Sequence, residues 1–186
     1  MNNKRLFAAI DLSPVEKQAL HCVAYELRAQ FAEGRINTED MYHITLHFFV
    51  EVPEDRIPDI GQAMKLAAKG QAPFTMVTGF PAIFGSPDSA VVWISLSEGL
   101  EPLATLQQRL EKQLVKAGFL EDARPFRPHI TLGREIDTTA FQTPLGELNL
   151  PSINLAAGSL TLLESKVANG RPVYEPLLRV RFAKKG

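Results

Sequence analysis

The sequence predicts an α+β protein of two similar lobes, each an antiparallel sheet with flanking helices, related by a pseudo-two-fold axis. Three observations predict it. The order strand, helix, strand occurs twice along the chain. Both times the closing strand carries the same tetrapeptide, His43-Ile44-Thr45-Leu46 and His129-Ile130-Thr131-Leu132. The spacing also repeats, 37 positions from Leu6 to His43 and 38 from Val91 to His129. A chain of 186 residues suits one bilobal domain spanning 1–186.

The elements follow in order. Lys4 to Leu12 reads as a buried first strand. Ser13 then supplies an N-cap, Pro14 the first helical position and Glu16 the second half of a capping box. Leu20, Ala24, Leu27 and Phe31 recur on one face of that helix, and Gly34 is expected to end it. Met41 to Val50 is dense in β-branched and aromatic residues and reads as the motif strand. Ile57, Ile60, Met64 and Ala67 mark an amphipathic helix closed by Gly70 and Pro73, and Phe74 to Phe80 a strand. The second cycle opens with the strand Ala90 to Leu96. A helix with Leu100, Leu103, Leu106, Leu110 and Leu114 follows, ending at Gly118, and a loop from Glu121 to Pro128 leads to the strand His129 to Arg134. Two further strands are expected within Ile153–Ser165 and Val173–Phe182, with Ala168-Asn169-Gly170 as a turn.

Composition narrows the function. A hydrophobic share of 45% can fill a core, and no run approaches the length of a membrane span. The opening Met1-Asn2-Asn3-Lys4-Arg5 has no apolar signal region, so a cytoplasmic protein is expected. One cysteine, Cys22, excludes an internal disulfide and a cysteine-rich zinc site. The net charge of −1 is unevenly spread: residues 124–186 hold 9 Lys/Arg against 5 Asp/Glu, and the first 123 hold 11 against 16. Gripping one nucleic-acid end needs only a local cationic site, whereas tracking a long duplex needs a broad basic face, so this distribution permits chemistry at an RNA end.

The chemistry lies in the repeated tetrapeptide. Two His-x-Thr hits among the 4 His and 10 Thr of this chain arise by chance in roughly 2% of shuffles, before Ile and Leu are required to match. Because strand side chains alternate, His43 and Thr45 share one face while Ile44 and Leu46 anchor the other; His129 and Thr131 do likewise. If the two lobes face each other, two imidazoles and two hydroxyls converge in a catalytic cleft suited to a phosphate. Hydroxyls donate to the non-bridging oxygens. Imidazoles near their ordinary pKa of about 6.5 supply one base and one acid for in-line displacement. His47 shares the His43 face on a regular strand and could edge the site, but a structural or solvated role is expected. His21 and Cys22 are helical neighbours pointing about 100° apart, too divergent to share a metal.

The paired motifs resemble those of the 2H phosphoesterase superfamily, in particular its RNA 2′,3′-cyclic phosphodiesterase branch, historically called 2′-5′ RNA ligase. The likeness extends to Arg5-Leu6-Phe7-Ala8-Ala9-Ile10-Asp11-Leu12, Val91-Val92-Trp93, Arg124-Pro125-Phe126-Arg127-Pro128 and Tyr174-Glu175-Pro176-Leu177. One departure is Phe48-Phe49-Val50, where that branch has a Phe-Leu-Gly-like turn. The resemblance implies hydrolysis of RNA 2′,3′-cyclic phosphate ends to 2′-phosphates. His129 would be the proton acceptor, His43 the proton donor, and Thr45 and Thr131 the phosphate ligands. The residues alone leave open which histidine is acid and which is base. Arg134 matches a basic position of the branch and would bind substrate. It would lie opposite the histidine on a regular strand, but Gly133 permits a bulge that redirects it.

The implied partners are RNA 3′ ends or small cyclic nucleotides, with no cofactor, no metal, no membrane, and a monomer without an obligate protein partner. Trp93 and Phe7 could stack on a base, although core packing is the simpler role. Arg124 and Arg127 could meet an RNA backbone or be solvated. The competing readings are the reverse 2′-5′ ligation, a non-catalytic module that grips phosphorylated RNA ends, and a metallohydrolase. Intact histidines argue against the second, and the lack of a carboxylate ligand pattern argues against the third.

Overall fold

The computed structural model describes residues 3–31, 33–122, 124–139, 145–148 and 150–183. In chain order the elements are β1 (Asn3–Asp11), α1 (Pro14–Arg28), β2 (Arg35–Ile36), β3 (His43–Pro53), α2 (Ile57–Ala68), β4 (Phe74–Phe84), β5 (Ala90–Glu98), α3 (Leu100–Lys116), β6 (His129–Ile136), β7 (Asn154–Ala157), β8 (Ser159–Ala168) and β9 (Arg171–Arg181). The strands form two antiparallel sheets, ordered β3-β1-β8-β9 and β2-β6-β5-β4-β7. The α+β class with two antiparallel sheets is therefore as expected. In each sheet the motif strand, β3 or β6, neighbours the opening strand of its own cycle, β1 or β5.

The lobes are less separate than a simple duplication suggests. β4 follows the first cycle but joins the second sheet, and β8 and β9 return to complete the first. β2, from the connection after α1, pairs with β6 and covers the edge of the second sheet. One hydrophobic core unites both sheets and all three helices, through residues such as Ile10, Leu20, Met64, Ile94, Leu106, Ile130 and Leu160. Phe7, Ala9 and Leu163, with Tyr174 against them, form a small second cluster on the opposite face of the first sheet.

Several local expectations need correction. The Ser13–Glu16 capping box forms, with the Ser13 amide donating to Glu16 at 2.7 Å. But α1 stops at Arg28, whose side chain donates to the Phe31 carbonyl at 2.7 Å, well before Gly34. Gly34 serves another need: its φ is +129°, and a Cβ there would lie 2.6 Å from the Ile136 Cα. Ile153–Ser165 is not one strand. β7 pairs with β4 in the second sheet, and after Gly158 the chain enters β8 in the first. Asn169 and Gly170 both have positive φ, 52° and 72°, as a two-residue type I′ hairpin between β8 and β9 requires. In α3 the leucine stripe is buried except Leu100, in the first turn.

Candidate active site

Both motif strands carry a β-bulge at the same place. One residue step along β1, Ala8 to Ala9, spans His47 to Thr45 on β3. One step along β5, Val92 to Trp93, spans Gly133 to Thr131 on β6. Each bulge makes two consecutive residues face the core, Leu46-His47 and Leu132-Gly133, and returns the next side chain to the histidine's face. Arg134 is thereby brought to the side of His129, where its charge is felt at the imidazole. Phe48 occupies the corresponding place beside His43, on the segment whose sequence departs from the branch pattern.

The same bulge corrects the expectation for His47. It does not share the His43 face but points into the helical layer, where Nδ1 lies 2.9 Å from Glu111 Oε2 of α3. Glu111 also accepts from the Asp122 amide at 2.9 Å, tying the loop after α3 to this pair. At the matching position Gly133 leaves room for a neighbour. A Cβ there would come within 2.7 Å of the Arg35 carbonyl oxygen of β2.

The two motif histidines are held alike. His43 Nδ1 lies 2.7 Å from the Met41 carbonyl oxygen, and His129 Nδ1 lies 2.7 Å from that of Arg127, in each case two residues back. A carbonyl only accepts, so Nδ1 carries the proton and Nε2 is the nitrogen left for chemistry in the neutral ring. His43 Nε2 lies 3.1 Å from Thr45 Oγ1, close enough for the hydroxyl to donate to it. β3 and β6 lie against each other, and the charge of His129 reaches His43. The two halves of the site thus face one space.

Both imidazoles are depressed below their ordinary range. Burial, aided by the charges of Lys17 and His129, pushes His43 down to about 4 despite the Met41 carbonyl and Asp11. Burial, with Arg134, also lowers His129 against the Arg127 carbonyl. With no ligand present both rings are therefore neutral near pH 7, where one charged and one neutral ring had been expected.

Aromatic side chains frame each ring. Phe7 of β1 lies 4.7 Å from the His43 ring centre, and Tyr174 of β9 meets it edge-on at 5.2 Å. Trp93 of β5 and Phe84 of β4 stand 5.6 Å and 5.1 Å from His129. Phe7 is buried, in line with a packing role; Trp93 is half-buried, with an indole N–H that is buried and unbonded. The sequence held a signal for these walls. Phe7 and Trp93 are 86 residues apart, as are His43 and His129, or Phe48 and Arg134. Of the other candidates, Arg124 pairs with Asp122 at 2.9 Å, and His21 Nδ1 lies 3.3 Å from the Tyr42 hydroxyl. Among the described residues no group of three His, Cys, Asp or Glu side chains is arranged to hold a metal ion. No helix among them is long and apolar enough to cross a membrane.

The profile of the 2′-5′ RNA ligase superfamily matches residues 14–169. The chain belongs to this superfamily. It is 31% identical over 179 residues to an RNA 2′,3′-cyclic phosphodiesterase of Escherichia coli, covering 95% of each chain. To the protein of that name from Thermotoga maritima it is 28% identical, covering 96% of this chain and 95% of the relative. Among solved structures, E. coli LigT in its apo form superposes with a TM-score of 0.74 at 30% identity, over 99% of this chain and all of that one. LigT has also been crystallised with 3′-AMP, and that structure matches with a TM-score of 0.74 at 29% identity, over 98% of this chain and all of that one.

Proposed function

We propose that this protein hydrolyses the 2′,3′-cyclic phosphate at RNA 3′ ends to a 2′-phosphate by two-histidine acid–base catalysis. The observation that carries the reading is the duplicated clamp, which fixes Nδ1 of both His43 and His129 on a carbonyl, so that Nε2 is the reactive nitrogen of both, that of His43 meeting the Thr45 hydroxyl until a phosphate takes its place. His129 Nε2 takes a proton from water as its oxygen attacks phosphorus. The phosphorus–3′-oxygen bond breaks, and His43 Nε2–H protonates the departing oxygen. Thr45 and Thr131 donate to the non-bridging oxygens, and Arg134 neutralises charge gathering on the phosphate. The family relationship and the relatives' names support this reaction class.

The low pKa of His43 fits such a cycle. In the free site burial keeps the ring neutral, whereas an anionic cyclic phosphate between the rings favours the protonated form and raises the pKa. The substrate thus helps to charge its own acid. The same chain supplies both histidines, so no second copy and no metal is needed. RNA 3′ ends and small cyclic nucleotides share the reacting group. A 5′-hydroxyl RNA end in place of water would give the reverse 2′-5′ ligation.

The test is to incubate the protein with an oligonucleotide ending in a 2′,3′-cyclic phosphate, with and without EDTA, and to identify the product isomer. A 2′-phosphate formed at equal rates in both is expected. A 3′-phosphate, or loss of turnover on chelation restored by a divalent ion, would overturn the mechanism.

A further inference from the structure

A cavity of about 290 Å³ is lined by Arg35, Asn37, Thr38, Met41, Arg134 and Arg171, among others. Three arginines line it from three separate elements. Arg35 on β2 and Arg134 on β6 are direct cross-strand partners in the second sheet, and Arg171 opens β9 in the first. Like charges placed directly opposite across a sheet repel. Only Arg35 has an ion-pair partner among the described residues, Glu135 at 2.5 Å, and both members of that pair are well exposed. The cavity therefore holds an excess of positive charge that a bound anion would relieve.

Its position relative to the histidines gives the anion an identity. Met41, on its wall, lends the carbonyl that clamps His43. Arg134, on another wall, acts electrostatically on both His129 and Tyr174, and Tyr174 lies against the His43 ring. The cavity is thus the immediate neighbour of the reacting phosphate, with Arg134 at the border of the two. Guanidiniums in a fork suit the paired non-bridging oxygens of a phosphate.

We propose that this cavity is a second phosphate subsite, binding the phosphate on the 5′ side of the nucleotide that carries the cyclic end, with Arg35 and Arg171 as its specificity-determining residues. The proposal rests on the reading of the histidine site given above. It makes the protein select a nucleotide with a 5′-phosphate or a longer RNA over a bare cyclic nucleoside.

The test compares kcat/KM for three substrates: adenosine 2′,3′-cyclic phosphate, its 5′-phosphorylated form, and a dinucleotide ending in the same cyclic group. The two with a 5′-side phosphate should exceed the first by about tenfold or more, the fold-change that one charge-assisted contact supplies. Arg171→Ala and Arg35→Ala should each reduce that ratio to a few-fold, while Lys65→Ala, on the outer side of α2, should leave it intact. A gain with the dinucleotide alone assigns the subsite to the internucleotide diester; a gain with both assigns it to any 5′-side phosphate. Equal kcat/KM for all three, or a ratio that survives Arg171→Ala, overturns the proposal and leaves the histidine site standing. Calorimetry of adenosine 2′-phosphate against adenosine 2′,5′-bisphosphate gives the same comparison without turnover. If no substrate turns over, the catalytic reading fails, and equal Kd values there would sink the subsite as well.

Discussion

What distinguishes His43 and His129 from the other two histidines is the partner of Nδ1: a backbone carbonyl two residues back, where His47 and His21 meet a side chain. Both rings donate Nδ1–H to the carbonyl two residues back, a bond that a strand histidine can make only because the chain enters each motif from a loop or a 3-10 turn. His47 spends its Nδ1 on Glu111 instead. Replacing either motif histidine with alanine should therefore lower kcat by about 10²–10⁴, the usual contribution of a positioned acid or base. A 2′-phosphate product should still bind, through the threonines and Arg134, and the double variant should lose less than the product of the two single losses. Thr45→Val and Thr131→Val should cost less, since each removes a hydrogen bond and no proton-transfer group. The depressed pKa values set the pH dependence. Because both rings are lowered in the free protein, the bell of kcat/KM should peak below pH 6.5. In the complex the substrate's negative charge raises both rings, so the alkaline limb of kcat should lie at higher pH than that of kcat/KM. A kcat limb at the same pH or lower would contradict the anion-raised acid. Stability obeys the same shift with the opposite emphasis. A folded-state pKa of about 4 for His43 means that the unfolded chain takes up its proton first, so the free fold loses stability as pH falls from 6.5 towards 4.

At the level of strands the bulge decides which side chains enter the site. Without it Arg134 would point away from His129, and His47 would lie beside His43. Gly133 is required because β2 passes so close that a Cβ would meet the Arg35 carbonyl at 2.7 Å. Gly133→Ala should destabilise the fold by about 1–3 kcal/mol, as over-packing does. It should also raise KM more than it lowers kcat, since it displaces Arg134 and leaves both imidazoles clamped; a variant of normal stability and normal KM would count against the bulge as the positioning device. His47→Ala should act differently. It removes the imidazole beside Glu111 Oε2 and leaves a void in the helical layer, while Glu111 keeps the Asp122 amide, so a loss of about 1–3 kcal/mol should be measurable by urea unfolding, with kcat/KM changed only a few-fold. The sequence carried the motif faces, the capping box, all three helices and the Asn-Gly hairpin, because each of those rests on local periodicity or turn chemistry. It allowed a bulge at Gly133, where glycine marks one, but hid the matching bulge before His47, where nothing in Leu46-His47 signals it. The two-residue strand β2 and the split at Gly158 were also hidden. Both are fixed by partners far along the chain, Arg134 and Gly133 for the first, β4 and β1 for the second.

The whole molecule joins two copies of one strand-helix-strand plan so that neither is complete alone. The first sheet needs β8 and β9 from the end of the chain, the second needs β4 and β2 from its first half, and one core runs through both. A catalytic pair split across two independently hinged lobes would vary its separation with every lobe motion. Interleaving opposes that freedom, because the chain crosses repeatedly between the sheets and opening the lobes would expose the core that runs through both. The consequence is thermodynamic as well as geometric: the protein should unfold as a unit. The chain has a single tryptophan, Trp93, on β5 of the second sheet and against His129, so its fluorescence reports that sheet and that half of the site. Far-ultraviolet circular dichroism reports both sheets and all three helices. Urea titrations followed by the two signals should give one coincident transition with the same midpoint and slope. A phosphate or 2′-phosphomonoester ligand, which on the proposed reading touches both halves, should move the two midpoints upward together. Chains cut between β4 and β5 should not fold separately, since each fragment would lack strands of its own sheet. If the tryptophan signal instead changed at a lower urea concentration than the dichroism, or if either fragment folded alone, the sheets would be separable units and the rigid spacing of the two imidazoles would need another source.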